Sequence, residues 1–115
     1  MMIELMFDPD KVRKENMKLE DCYGIIDDFI EENGGLKKIN RGVYQGRGQV
    51  AFDTIMKSTS VFPNTDWFLR TIKAWYCRED GNKRENREDY LKTFAELYPE
   101  RAKEYGITSS SHFEY

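Results

Sequence analysis

A chain of 115 residues has room for one domain, and about two-thirds of its surface can be buried on folding. Aromatic residues make up 14% of it, which excludes a mostly disordered chain. No apolar run reaches the roughly 18 residues of a bilayer span, and the N-terminal stretch lacks the basic region of a signal peptide. The net charge of -3 is uneven, because residues 36–78 are basic and both flanking segments are acidic. We therefore expect a cytoplasmic protein without membrane contact.

Metal and nucleophile chemistry have little support in the sequence. The chain has one histidine, His112, close to its C-terminal end. Cys22 and Cys77 are far apart and form no C-x-x-C pair, which predicts two free thiols. Metal sites built on two or more histidines are impossible within one chain, and the spacing of His112, Cys22 and Cys77 fits no standard zinc pattern. A Ser-His or Cys-His pair would have to use a histidine near the chain end. The sequence therefore predicts no catalytic residue, no cofactor and no metal ligand.

The first part of the chain alternates strand and helix signals. Ile3, Leu5 and Phe7 fall on one face of a strand. Asp8 can cap a helix that begins at Pro9, and Gly34-Gly35 can end a longer helix with an apolar stripe. The predicted elements are a strand over 1–7, a short helix over 9–15, a helix over 17–33 and a strand over 36–45.

Residues 49–57 fit two structures. In a strand, Val50, Phe52, Thr54 and Met56 share one face. In a helix, Phe52, Ile55 and Met56 form an i, i+3, i+4 set. The β-branched residues and the preceding Gly46–Gly48 turn favour a hairpin.

The sequence pattern of the last part of the chain predicts helices. The apolar residues from Phe68 to Tyr76 indicate a helix over 65–78, ended by Asp80-Gly81-Asn82. Another helix begins near Asn86, buries an apolar stripe and is ended or kinked by Pro99. The buried stripe consists of Tyr90, Leu91, Phe94, Leu97 and Tyr98.

These elements predict one α+β domain over 1–106 and a flexible C-terminal tail over 107–115. Three to four helices pack on one face of a small antiparallel sheet of two to three strands, in two layers. If 49–57 is helical, the alternative is a mostly α fold with a β-ribbon. A ribbon alone is marginally stable, so that alternative predicts close helix cover or a dimer.

One candidate interaction surface is the acidic side of the helix over 17–33. Asp27, Asp28, Glu31 and Glu32 repeat like charges at four-residue spacing, which costs a few tenths of a kcal/mol per pair. Glu31 and Glu32 also lie at the helix C-terminus, where the dipole disfavours anions. The set is interpreted either as a solvated face neutralised by the basic segment or as a docking face for a basic partner.

A second candidate is the basic, glycine-rich segment over 36–48. A hairpin could place its basic residues along a phosphate backbone and stack its tyrosine on a base. The residues concerned are Lys37, Lys38, Arg41, Tyr44 and Arg47. The same charges also protect an exposed sheet edge, and a pI of about 5.3 is unusual for a dedicated nucleic-acid binder.

A third candidate is an aromatic patch formed by Phe62 and Trp67. Trp67 falls outside the apolar stripe of its predicted helix and lies next to the loop that holds Phe62. It either packs on that loop or acts as an exposed anchor, a role in which tryptophan is frequent.

Together these features predict a small cytoplasmic, non-catalytic protein-interaction module of the adaptor, inhibitor or immunity type. Its partner is another protein or a second copy in a homodimer. The alternative is nucleic-acid contact through 36–48. A third reading is a small enzyme without a recognisable motif.

Overall fold

The computed structural model describes residues 1–79 and 83–113. Its strands are β1 (Met2–Phe7), β2 (Leu36–Asn40), β3 (Val43–Gly46), β4 (Ile72–Arg78) and β5 (Glu88–Asp89). Its α-helices are α1 (Pro9–Lys14), α2 (Leu19–Asn33), α3 (Gly48–Val61), α4 (Asp66–Thr71), α5 (Tyr90–Leu97) and α6 (Pro99–Tyr105). Short 3₁₀ turns cover Phe62–Asn64 and Arg84–Asn86.

The α+β class fits, but the predicted layout is wrong. Within the described residues, five antiparallel strands form one sheet and six α-helices accompany it. The sheet is therefore larger than the predicted two to three strands, and the helices are more numerous and shorter. The alternative of a mostly α fold with a ribbon is also wrong, because the ribbon is part of this sheet.

The N-terminal strand β1 lies at the centre of the sheet. The strand order is β2-β3-β1-β4-β5, and Ile3 of β1 pairs with Tyr44 on one side and with Cys77 on the other. Ile3, Leu5 and Phe7 point to the helices and belong to the main core. Alternation along the strand places Glu4 on the opposite face.

Glu4 is nevertheless fully buried, and its cation comes from the far end of the chain. Its Oε2 accepts a hydrogen bond of 2.8 Å from Arg87 Nη1, and the two side chains are 0% and 10% exposed. The Arg87 guanidinium lies 3.7 Å from the ring centroid of Tyr76. Nη1 also donates to the carbonyl oxygen of Phe113 at 2.8 Å. This buried ion pair thus ties the central strand to the C-terminal segment.

The predicted helix over 65–78 is correct only as far as Thr71. From Ile72 the chain is strand β4, which is buried on both faces in its central part. A strand that is buried on both faces has no polar alternation, so its apolar run resembles one side of a helix. The predicted stop at 80–82 lies outside the described residues.

The hairpin favoured for 49–57 is wrong, because these residues belong to α3. The buried side of α3 consists of small and hydroxyl residues around a single aliphatic one: Ala51, Thr54, Ile55 and Ser58. Thr54 Oγ1 donates to Gly34 O at 2.8 Å, and Ser58 Oγ donates to Ile55 O at 2.5 Å. These hydrogen bonds allow the hydroxyl groups to be buried. Because the buried side of α3 has few large apolar residues, the hydrophobic pattern of the sequence does not predict a helix here.

The predicted strand over 36–45 is a hairpin of two strands, β2 and β3. The tight turn between them includes Gly42, whose φ is +75°. Leu5 N donates to Gly42 O at 2.7 Å, and a Cβ on Gly42 would lie 2.2 Å from Leu5 O. Glycine is therefore required for the turn to approach β1.

The described part of the C-terminal segment, 107–113, lies along β4. Ser110 Oγ accepts from Trp75 N at 2.9 Å and donates to Asp89 Oδ1 at 2.6 Å. Ser111 N donates to Lys73 O at 2.9 Å. The flexibility of 107–115 stays a prediction, although these bonds give the segment a defined place.

Candidate binding groove

The structure brings part of the acidic helix and part of the basic hairpin together. Asp27 accepts a short hydrogen bond from Tyr44 Oη and one of 2.9 Å from Lys38 Nζ. Burial, followed by the bond to Asp27, raises the pKa of Tyr44, and Tyr44 is not placed to stack on a base. Asp28, Glu31 and Glu32 are exposed. Docking of a basic partner there stays a prediction.

The other basic residues of the hairpin region lie on the surface. Lys37, Arg41 and Arg47 are exposed, and the Arg41 guanidinium lies 4.7 Å from the ring centroid of Tyr23. No hydrogen bond in the described structure links these three cations into one cluster. Phosphate contact through them stays a prediction.

Phe62 and Trp67 take part in the packing of the core. Phe62 is buried, and its ring centroid lies 4.8 Å from that of Phe29 and 5.2 Å from that of Phe68. Trp67 is half-buried and stacks on Phe7 at 5.7 Å. Both rings thus pack against other aromatic residues of the protein. That they act as anchors for a partner stays a prediction.

A different surface has the features of a binding site. Two adjoining cavities of about 330 and about 350 Å³ lie between α3 and the α5–α6 pair. They share the lining residues Thr59, Pro63, Phe94 and Tyr98. We call the pair of cavities the α3–α5 groove.

The rim of the α3–α5 groove is apolar and exposed. Leu97 and Tyr98 are 67% and 58% exposed, and Met56 on the opposite wall is 39% exposed. Phe52 lies one helical turn before Met56, on the same side of α3, and is also exposed. Contiguous apolar surface of this kind marks interaction sites more often than single exposed residues do.

Trp75, a buried residue of β4, contributes to the lining of the first cavity. Trp75 is 2% exposed, and its Nε1 is buried without a hydrogen-bond partner in the described structure. Edge-to-face contacts with Tyr90 at 5.1 Å and Phe68 at 5.2 Å hold the ring. A buried donor without a partner costs about 1–3 kcal/mol, and buried indole N–H groups usually have one.

The second cavity ends at Arg101, which supplies another unpartnered donor. Its Nη2 donates to Pro63 O at 3.1 Å, while its Nε is buried without a partner among the described atoms. Asp66 Oδ1 lies 3.7 Å from Arg101 Nη2 and forms an ion pair with it. The groove therefore combines an apolar rim with polar lining residues, which include Glu88 in the first cavity and Arg101 in the second.

Burial determines the protonation of two titratable groups near the groove, Tyr90 and Cys77. Burial is the main cause that raises the pKa of Tyr90 and of its neighbour Cys77, so both stay protonated near neutral pH. Burial likewise raises the pKa of Cys22, and a protonated thiol is a poor nucleophile. In residues 1–79 and 83–113, no group of three or more His, Cys, Asp or Glu residues could hold a metal ion.

The sequence pattern does not reveal the groove. It predicts Leu97 and Tyr98 in the buried stripe of a helix, which is wrong, because they lie where α5 ends before Pro99 and both are exposed. The walls come from α3, β4 and the α5–α6 pair, which are distant in sequence. The unusual composition of the buried side of α3 was the only local signal.

Comparison with protein-family models, with curated proteins and with solved structures finds no match for this chain. Among the described helices, none is both long and apolar enough to cross a membrane. Function is therefore inferred from the geometry and chemistry of the site.

Proposed function

We propose that this protein is a non-catalytic binding module that takes an apolar side chain of a partner protein into the α3–α5 groove. The observation that carries the proposal is a cavity with an exposed apolar rim, formed by Leu97, Tyr98 and Met56. A bound segment would cover this rim.

The dimensions and chemistry of the groove support this function. A cavity of about 330 Å³ lies near the lower end of the range for ligand pockets, which suits an apolar side chain with its adjoining main chain. Burial of Leu97 and Tyr98 would provide the hydrophobic stabilisation of the complex.

A partner of different sequence fits the groove better than a second copy of this chain. In a two-fold dimer, each surface meets its own equivalent. Two copies that met with these cavities facing each other would leave both cavities unfilled, whereas a protruding apolar side chain of a partner can enter one. A homodimer through this face is therefore a competing outcome of the test.

The test is a peptide-display selection against the wild-type protein, with depletion on Leu97→Asp. Selected peptides are expected to bind the wild type and to bind Leu97→Asp at least tenfold more weakly, because the substitution places a charge on the apolar rim. Ile25→Asp is the matched control: Ile25 is also an exposed aliphatic residue, 43% exposed, but it lies on α2. It should bind the selected peptides like the wild type.

Three results would overturn the proposal. Peptides that bind Leu97→Asp as well as the wild type would place binding elsewhere. A selection that yields no binder would remove the peptide-binding function. A wild-type dimer that becomes monomeric in Leu97→Asp, measured by analytical ultracentrifugation, would make the groove an interface between copies. Circular dichroism of both variants verifies that they are folded.

A further inference from the structure

We infer that the partner segment in the α3–α5 groove carries an arginine beside its apolar residue, and that Glu88 and the aromatic lining of the first cavity bind the guanidinium. The inference rests on the proposed binding function and adds the chemistry of the partner. It starts from the described residues that line the first cavity, in which Glu88 is the one charged group. Four aromatic residues belong to the same lining: Trp75, Tyr90, Phe94 and Tyr98.

The register of the sheet directs the Glu88 side chain to the side of the groove. Cys77 of β4 pairs with Glu88 on one side and with Ile3 on the other. Side chains of directly opposed residues lie on the same face of a sheet, and Ile3 points to the helices. Thr93 of α5 also lines the first cavity, and its Oγ1 donates to Glu88 Oε1 at 3.3 Å. These contacts place the carboxylate beside the first cavity.

The Glu88 carboxylate has no cation beside it in residues 1–79 and 83–113. The ion pairs between these residues do not include Glu88, whose side chain is exposed. Arg101 is the charged lining residue of the second cavity, and it is already in an ion pair with Asp66 at 3.7 Å. The uncompensated charge in the lining of the groove is therefore negative, which favours a cationic group on the partner.

A guanidinium fits this combination of rings and carboxylate better than an ammonium group. Tyr98 is 58% exposed at the rim, and its ring centroid lies 5.5 Å from that of Phe94. Aromatic faces attract cations, and a planar guanidinium can also donate two parallel N–H groups to one carboxylate. It is more weakly hydrated than an ammonium group, so it loses less on entering a cavity with apolar walls. The aliphatic part of an arginine can cover Leu97 at the same time.

The experiment compares two small probes of nearly equal shape, cationic butylguanidinium and neutral butylurea, by proton–carbon correlation NMR of the methyl groups of the full chain. Met56 and Leu97 line the first cavity, and the exposed Ile25 on α2 is the internal reference. Butylguanidinium should shift the Met56 and Leu97 signals and leave that of Ile25 unchanged. It should bind about tenfold more tightly than butylurea, because its hydrogen bonds to Glu88 are charge-assisted. Butylammonium should bind at least about twofold more weakly than butylguanidinium.

Glu88→Gln should remove the preference, so that butylguanidinium and butylurea bind equally. Glu96→Gln is the matched control, because Glu96 is also exposed and lies on α5, but it lines a different cavity, next to Ala102. It should keep the preference. Tyr98→Leu should weaken butylguanidinium binding about two- to fivefold through loss of the ring. In display-selected peptides, replacement of the arginine by citrulline should weaken binding to the wild type about tenfold and should not weaken binding to Glu88→Gln.

The outcomes separate this inference from the proposed function. Equal binding of butylguanidinium and butylurea to the wild type, or a preference that survives in Glu88→Gln, would overturn the inference and leave the groove as a binding site for an apolar segment. Butylammonium that binds as tightly as butylguanidinium, or selected peptides without arginine, would also overturn it. A preference that depends on Glu88 without any selectable peptide would make the cavity a small-molecule site, which contradicts the proposed function but keeps the assignment of Glu88. The methyl spectra verify that each variant is folded.

Discussion

Glu4→Gln is expected to reduce the free energy of unfolding by about 3–5 kcal/mol, the typical cost of removing one partner of a buried ion pair. The glutamine has nearly the same shape and can still accept a hydrogen bond from Arg87 Nη1. What it removes is the charge that compensates a guanidinium only 10% exposed. The Oε1 of Glu4 is buried without a hydrogen-bond partner, so the amide NH₂ of the glutamine adds an unpaired donor to the electrostatic loss.

The magnitude follows from the geometry of the pair. The N–O distance of 2.8 Å corresponds to charge centres about 4 Å apart, which attract by about 4 kcal/mol at an effective dielectric constant of about 20. The contact of Arg87 with the Tyr76 ring remains in the variant and adds a smaller attraction of about 1–2 kcal/mol. A loss near 4 kcal/mol is a large part of the 5–15 kcal/mol that holds a typical domain together.

Urea denaturation followed by tryptophan fluorescence measures this loss. With a slope of about 2 kcal/mol per M, a loss of 4 kcal/mol lowers the midpoint by about 2 M. Arg87→Met and the double variant complete a cycle, in which the double variant should lose at least about 2 kcal/mol less than the sum of the single losses. Glu15→Gln, in the exposed pair with Arg70, should cost less than about 1 kcal/mol. A Glu4→Gln loss as small as that of Glu15→Gln, or additive losses in the cycle, would refute the reasoning.

Two other predictions concern the hairpin. Gly42→Ala should cost about 2 kcal/mol more than Gly48→Ala, because both residues have positive φ but only the Gly42 Cβ would clash, at 2.2 Å from a main-chain oxygen; equal losses in urea denaturation would contradict this contact. Tyr44→Phe tests the raised phenol pKa, whose main cause is burial. Since the folded pKa lies above the ordinary value near 10, the stabilisation by Tyr44 is present below about pH 10 and is lost as the pH rises. The difference in unfolding free energy between wild type and Tyr44→Phe should therefore shrink between about pH 9 and about pH 11, and a constant difference would count against it.

Local signals predicted the elements that local interactions determine. The Asp8 cap is present, because its Oδ1 accepts from Asp10 N at 2.9 Å. Gly34 ends α2 with a positive φ, as the sequence indicated. In both cases the decisive contact lies within a few residues, so the pattern alone contains the information.

Elements defined by distant contacts could not be predicted in this way. β4 has an apolar run because it is buried on both faces of the sheet. Its own sequence does not show that both faces are covered. Glu4 occupies the polar position of an alternating strand, and only Arg87 makes its burial tolerable. The groove is even harder to predict from the sequence, because Trp75, Leu97 and Arg101 become neighbours only in the complete fold.

The central position of β1 has a consequence for synthesis of the chain. β1 leaves the ribosome first, but its partners β3 and β4 emerge later, and Arg87 follows Glu4 by 83 residues. Until then the nascent chain carries two unpaired strand edges, which are prone to intermolecular pairing. The sheet with its buried ion pair therefore cannot be complete before Arg87 has emerged.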